Sequence, residues 1–182
     1  MKKISIPLVA LALMVGSAAE AQTTNPLSTG AKRSYEIIKG YITRAAEKAP
    51  EDVYAFKPTP DVRSFGQLVG HITDANNGFC ALAAGEKPPA GVFEGPVGPT
   101  EKGVTTKAAL QKALADSFAY CDKVHGGMTD AAGAAVVKSV VGEMAKLSLL
   151  EFNTHHDFEH YGNLVTYLRL KNIVPPSSEP RK

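Results

Sequence analysis

The sequence predicts an all-α fold, a four-helix bundle with long crossover connections. Three observations predict it. Four stretches carry apolar residues at helical spacing, long Pro- and Gly-rich connections separate some of them, and no alternating strand pattern of any length occurs.

The chain begins Met1-Lys2-Lys3, runs apolar from Ile4 to Gly16 and then reaches Ala19-Glu20-Ala21. A charged start, a short apolar core and an A-x-A site are the three parts of a secretory signal peptide. The apolar run falls well short of the roughly 20 residues a membrane span needs. Residues 1–21 are therefore expected to be a signal peptide and 22–182 a single domain, periplasmic or secreted. No cysteine follows the expected cleavage site, which argues against a lipid-modified N-terminus. Removing Lys2, Lys3 and Glu20 takes the formal charge from +2 to +1. A near-neutral domain without a basic cluster has no electrostatic reason to hold nucleic acid or, once the signal is cleaved, an anionic membrane.

The first helix starts at Asn25-Pro26, a capping residue followed by proline at the first helical position. Leu27, Tyr35, Ile38, Tyr41, Ile42, Ala45 and Ala46 are expected to form its apolar stripe, which stops near Ala49-Pro50. After a Pro-rich connection, Ser64-Phe65-Gly66-Gln67 reads as a capping box that opens a second helix through Leu68, His71, Ile72, Ala75 and Phe79. The segment Gly85–Gly103 holds four prolines and five glycines and is expected to lack regular structure. Loops of that length inside compact domains tend to be functional or mobile. Thr106 caps a third helix carrying Leu110, Leu114, Phe118 and Cys121, with Gly126-Gly127 as its stop and His125 expected in a loop. The Ala/Gly/Val segment from Thr129 to Gly142 has little pattern. The last helix is expected from about Lys146 to Lys171, ending before Pro175-Pro176.

Cys80 and Cys121 fall on different helices, and an even count in an oxidising compartment favours a disulfide between them. Cys80 lies nine residues after His71, about half a turn around the helix, so the bridge is expected to face away from His71.

Three of the five histidines lie in Asn153-Thr154-His155-His156-Asp157-Phe158-Glu159-His160-Tyr161-Gly162. On a helix His156 and His160 share one face, with Cβ atoms roughly 5–6 Å apart, so two imidazoles can fill adjacent corners of one coordination sphere. His155 points about 100° away and is expected to be exposed. A third ligand must come from elsewhere, and His71, among apolar residues of the second helix, is the candidate. Spacing alone leaves both a three-histidine site and a solvated helix face open. A protease reading fails: Asp157 stands where H-E-x-x-H needs glutamate, and an H-x-x-E-H enzyme needs a further ligand downstream of His160 that the sequence does not offer. No Glu-x-x-His for a di-iron bundle and no C-x-x-C-H for haem occurs. Helical phase places Asp74, Glu159, Asn163 and Tyr167 near the three histidines, as groups that orient an imidazole or face a substrate or else as surface polars. Gly78 sits on nearly the same face as His71, where a missing side chain leaves room for a ligand or for a close helix contact.

The stretches Phe56–Ile72, "FKPTPDVRSFGQLVGHI", and His156–Ser178, "HDFEHYGNLVTYLRLKNIVPPSS", resemble the DinB/YfiT-like superfamily of metal-dependent proteins. The resemblance implies an antiparallel bundle with a crossed-over helix order. It also implies a divalent metal, zinc or nickel above all, on three histidines matching His71, His156 and His160. Members with known activities include transferases and isomerases that use low-molecular-weight thiols, and dimers are common, so a homodimer is an expectation here. Export departs from the thiol-dependent members, which work where reduced thiols are abundant. Two functions follow as expectations: a metal-dependent hydrolase or thiol transferase acting on an unidentified small molecule, or a non-catalytic periplasmic protein that binds metal or a small ligand.

Overall fold

The computed structural model describes residues 24–180, so the expected signal peptide lies outside the described residues. Four long helices dominate: α1 (Pro26–Lys48), α3 (Phe65–Ala84), α5 (Lys107–Gly127) and α7 (Lys146–Leu170). Three short ones lie between them: α2 (Glu51–Tyr54), α4 (Pro99–Gly103) and α6 (Asp130–Gly133). A single 3-10 turn, Pro176–Ser178, follows α7.

The long helices pack in a crossed order. α3 lies against α5 and α7, and α1 lies against α7 and α5. Chain neighbours α1 and α3 thus occupy opposite corners, which is why their connection must cross the bundle. Tyr35, Ile38, Ile42, Phe65, Ile72, Leu110, Leu149, Leu150, Leu164 and Leu168 are fully buried between the four. Each large apolar side chain so enclosed contributes about 1.5–3 kcal/mol relative to exposure. Cys80 and Cys121 are joined, with Cα atoms 5.5 Å apart, and tie α3 to α5. No helix among the described residues is long and apolar enough to cross a membrane.

The capping box holds. Ser64 Oγ accepts from Gln67 N at 3.1 Å, and Gln67 Oε1 accepts from Ser64 N at 2.9 Å. At α1 the sequence gives the right start with the wrong cap. Asn25 makes no side-chain cap to α1; its Oδ1 instead accepts from Asp130 N. The Asp130 carboxylate then accepts from Leu27 N and Ser28 N at 3.1 and 2.8 Å. The cap is supplied from about a hundred residues away, a distance at which local sequence carries no signal. Leu27 leaves the apolar stripe expected of α1, lying 66% exposed in the first turn.

Three expectations are corrected. Gly85–Gly103 is not wholly irregular, because Pro99 starts α4 and the Asp74 carboxylate accepts from Thr100 N and Glu101 N at that helix's first turn. His125 is not a loop residue. It occupies the last turn of α5, buried and stacked on Tyr35 with ring centroids 4.1 Å apart. The segment after Thr129 contains an antiparallel hairpin, β1 (Val136–Ser139) and β2 (Gly142–Ala145), pairing Val136 with Ala145 and Ser139 with Gly142. Four-residue strands are too short to show alternation against an Ala/Gly/Val background. Gly142, at φ 107°, supplies a backbone conformation that other residues rarely adopt.

Candidate metal centre

His71 projects from α3, and His156 and His160 from one face of α7. Chain folding brings the three rings together. His156 Nε2 lies 3.2 Å from His71 Nε2 and 3.0 Å from His160 Nε2. One ligand atom from each of the three falls within 4.8 Å of the others. A tetrahedral zinc site with Zn–N of about 2.0–2.1 Å has N···N edges of about 3.3–3.4 Å, close to the spacing found.

The proton positions suit a cation. Glu101 Oε2 lies 3.0 Å from His71 Nδ1. A carboxylate oxygen accepts, so Nδ1 carries the proton and Nε2 of the neutral ring presents its lone pair to the centre. His160 Nδ1 lies 3.3 Å from the Asn163 amide group. The amide atom nearest the ring is Nδ2; exchanging the amide's N and O, which have the same shape, turns Oδ1 to the ring, so that Nδ1–H donates to it and Nε2 is again bare. His156 Nδ1 is buried with no hydrogen-bond partner among the described residues. A proton on His156 Nε2 serves one neighbour, whereas a cation serves all three.

Electrostatics favours the same state. Burial lowers the pKa of His156 to about 3, helped by the charge each neighbouring imidazole would carry and by Arg63. Burial likewise lowers His160 to about 4, again with His71 and Arg63 contributing. His71 is lowered by burial and Arg63 and held up in part by Glu101. Neutral imidazole is the form that ligates a metal.

Glu101 is the residue that sequence reasoning missed. Its side chain is 3% exposed, bonded to His71 on one oxygen and to Arg63 Nε at 2.8 Å on the other. α4 delivers it by pressing onto α3 at Gly70, where a Cβ would lie 2.7 Å from Glu101 Cα. A signal existed: Gly98-Pro99-Thr100-Glu101 places proline at the first helical position and glutamate two residues on, a helix start inside an apparent loop.

The other expected neighbours divide. Asn163 touches His160. Asp74 does not face the rings with a free carboxylate; it caps α4 and so positions Glu101 indirectly. Tyr167 is buried and donates from Oη to the Arg63 carbonyl at 2.7 Å, which anchors the start of the Arg63–Glu101–His71 relay. Glu159 is exposed, and its charge slightly opposes the lowering of His156. His155 is exposed, as expected. Asp157 turns away into the core, where burial pushes its carboxyl well above the usual carboxylate range. The space beside Gly78 is not open for a ligand, since the Phe93 ring fills it.

A crossed four-helix bundle that gathers three imidazoles from its second and fourth long helices is a recognisable class of helical protein. The model of the DinB superfamily matches residues 37–164, and the chain belongs to that superfamily. No curated protein matches it. A DinB-like protein from Bacillus subtilis is similar at 19% identity and a TM-score of 0.64, over 87% of this chain and 100% of that one. One from Bacillus cereus is similar at 16% and 0.64, over 81% and 95%. A mycothiol-dependent maleylpyruvate isomerase is similar at 14% and 0.64; that likeness takes in 75% of this chain but spans only 60% of the isomerase. At these identities the likenesses show the fold.

Proposed function

We propose that His71, His156 and His160 hold a divalent metal, zinc or nickel, and that the protein is a metal-dependent hydrolase or thiol transferase acting on a small molecule. The convergence of the three Nε2 atoms on one point carries this reading. A bound ion would supply Lewis acidity, holding a coordinated water or thiol in its deprotonated, nucleophilic form near neutral pH. Around it, Glu101 fixes the His71 tautomer, Asn163 borders His160, and Arg63 places a cation within electrostatic reach of all three rings.

One observation favours a second reading, a binding protein without turnover. The buried carboxylates beside the rings are both engaged, Glu101 with His71 and Arg63, Asp74 with the first turn of α4, so neither is free to serve as a general base. Metal analysis of the purified protein, followed by ester, phosphate and thiol-transfer screens of wild type and His156→Ala, separates the two. Turnover lost in the variant supports the enzyme; full metal occupancy without turnover supports the binder; absence of metal uptake sinks both. We further propose an exported protein beginning at Gln22 and acting as a homodimer. The Cys80–Cys121 bridge supports the oxidising location.

A further inference from the structure

Away from Arg63, His71 and His156 form part of the wall of a cavity of about 230 Å³. Its remaining surface is mainly apolar, with Phe79 from α3, Phe93 from the 85–98 connection, Val141 from the hairpin turn and Phe152 from α7. The phenyl rings form a continuous box. Phe79 lies 4.8 Å from Phe93, 5.3 Å from Phe152 and 6.3 Å from the His156 ring, between centroids.

Two features mark the box as built. Phe93 has φ 64°, a left-handed conformation that is costly for a bulky aromatic and tends to persist where function requires it. Its ring lies where a Cβ on Gly78 would come within 2.3 Å of it, so the helix must carry glycine there. Phe152 and Val141 stay 37% and 41% exposed, apolar surface left open to solvent beside the histidines. The one carboxylate in the wall, Asp74, is occupied by backbone N–H groups.

A cavity of this size and lining accepts one flat or branched apolar group and offers a charged or heavily hydroxylated one no free carboxylate partner. We propose that it is a specificity pocket for compounds that carry a phenyl-sized or short branched-alkyl group one or two bonds from a metal-ligating donor. The proposal rests on the metal reading above and deepens it. The pocket selects small aryl or alkyl substrates over bulky hydrophilic thiols.

The test is calorimetric binding of benzohydroxamate and acetohydroxamate, two probes with the same metal-binding head, to the full chain loaded with zinc. Wild type is expected to bind the aryl probe at least roughly tenfold tighter, the scale of burying a phenyl group. Phe152→Ala, which removes a half-exposed wall, is expected to shrink that preference below threefold. Val141→Asp, on the exposed hairpin turn, places a charge at the mouth and is expected to do the same; it decides the matter if Phe152→Ala does not fold. Zinc uptake with equal affinity for the two probes, or with a preference that survives the variants, overturns the pocket and leaves the metal reading standing. Absence of zinc uptake by wild type overturns both.

Discussion

His71 reaches the centre in the right tautomer because a buried carboxylate accepts its Nδ1–H, and that carboxylate is itself held by Arg63. Hydrogen-bonded partners of this kind raise ligand basicity and lock the ring, and losing one typically costs ten- to a hundredfold in metal affinity. Glu101→Gln keeps the shape and removes the charge. It is expected to weaken zinc binding by roughly tenfold, read by competition against a chromophoric chelator, while leaving the helical circular dichroism unchanged. His125 shows what burial does to an imidazole away from the centre. Its pKa is lowered to about 4 by desolvation, with Asp122 opposing and Lys32 assisting. The unfolded chain holds a proton there below about 6.5 and the folded chain only below about 4, so between those values the unfolded state binds more protons. The contribution of His125 is therefore constant above about pH 6.5 and falls as pH drops toward 4, by about 3 kcal/mol. His125→Phe keeps a ring against Tyr35 and is expected to remove that share of the slope in urea melts at pH 4.5 and 7. An unchanged slope means that His125 is not the group titrating.

The site is assembled by elements of unequal visibility. α3 and α7 announce themselves through capping and helical periodicity, and residues four apart on one helix must share a face, so His156 and His160 were legible as a pair from spacing alone. That His71 joins them depends on how two helices 85 positions apart dock, which periodicity does not encode; its place among apolar residues of α3 made it the candidate, and the family resemblance matched it. α4 is five residues long and contributes one essential side chain, and the hairpin is four residues a strand. Neither is long enough to establish a period, and both are fixed by tertiary contact: α4 by the Asp74 carboxylate and its seat on Gly70, the hairpin by its packing beside α3. The Asp130 cap on α1 was hidden for the same reason. Gly70 makes the seat testable. Gly70→Ala puts a methyl 2.7 Å from Glu101 Cα, a backbone atom that cannot swing aside as a side-chain tip would. α4 is expected to lift from α3, at a cost of about 1–3 kcal/mol in denaturant melts. Zinc affinity is expected to fall with it although no ligand has changed. Normal zinc affinity in a destabilised protein would separate the seat of α4 from the metal centre.

At the scale of the whole molecule, α3 is tied on two sides, to α5 by the Cys80–Cys121 bond and to α7 by whatever the three imidazoles share. The first tie acts mainly on the unfolded chain, where closing a loop of 41 residues removes conformational freedom worth about 4 kcal/mol on the chain-entropy account. The second acts on the folded chain alone, because His71 and His156 meet only after the helices dock. Without a cation the second tie is a weak one: burial keeps the three rings neutral, and His156 Nε2 lies 3.0–3.2 Å from the Nε2 atoms of the other two, with too few protons to bond them all. A ligand that binds only the folded form stabilises it by about 2.7 kcal/mol at a free concentration a hundred times Kd. In a domain of this size each kcal/mol moves the melting temperature by about 2–4 °C. Zinc at that excess is therefore expected to raise the melting temperature of EDTA-treated protein by about 5–10 °C, read by scanning calorimetry, with EDTA reversing the shift. His156→Ala is expected to melt at one temperature in both conditions, since it removes the atom to which the other two are closest. Dithiothreitol, which opens the first tie, is expected to lower both wild-type transitions while leaving the zinc-dependent gap in place, because the bridge lies on the α5 side of α3 and the histidines on the α7 side. A wild type that melts at the same temperature with zinc and with EDTA would mean that the three imidazoles meet for a structural reason and that the bundle carries no metal.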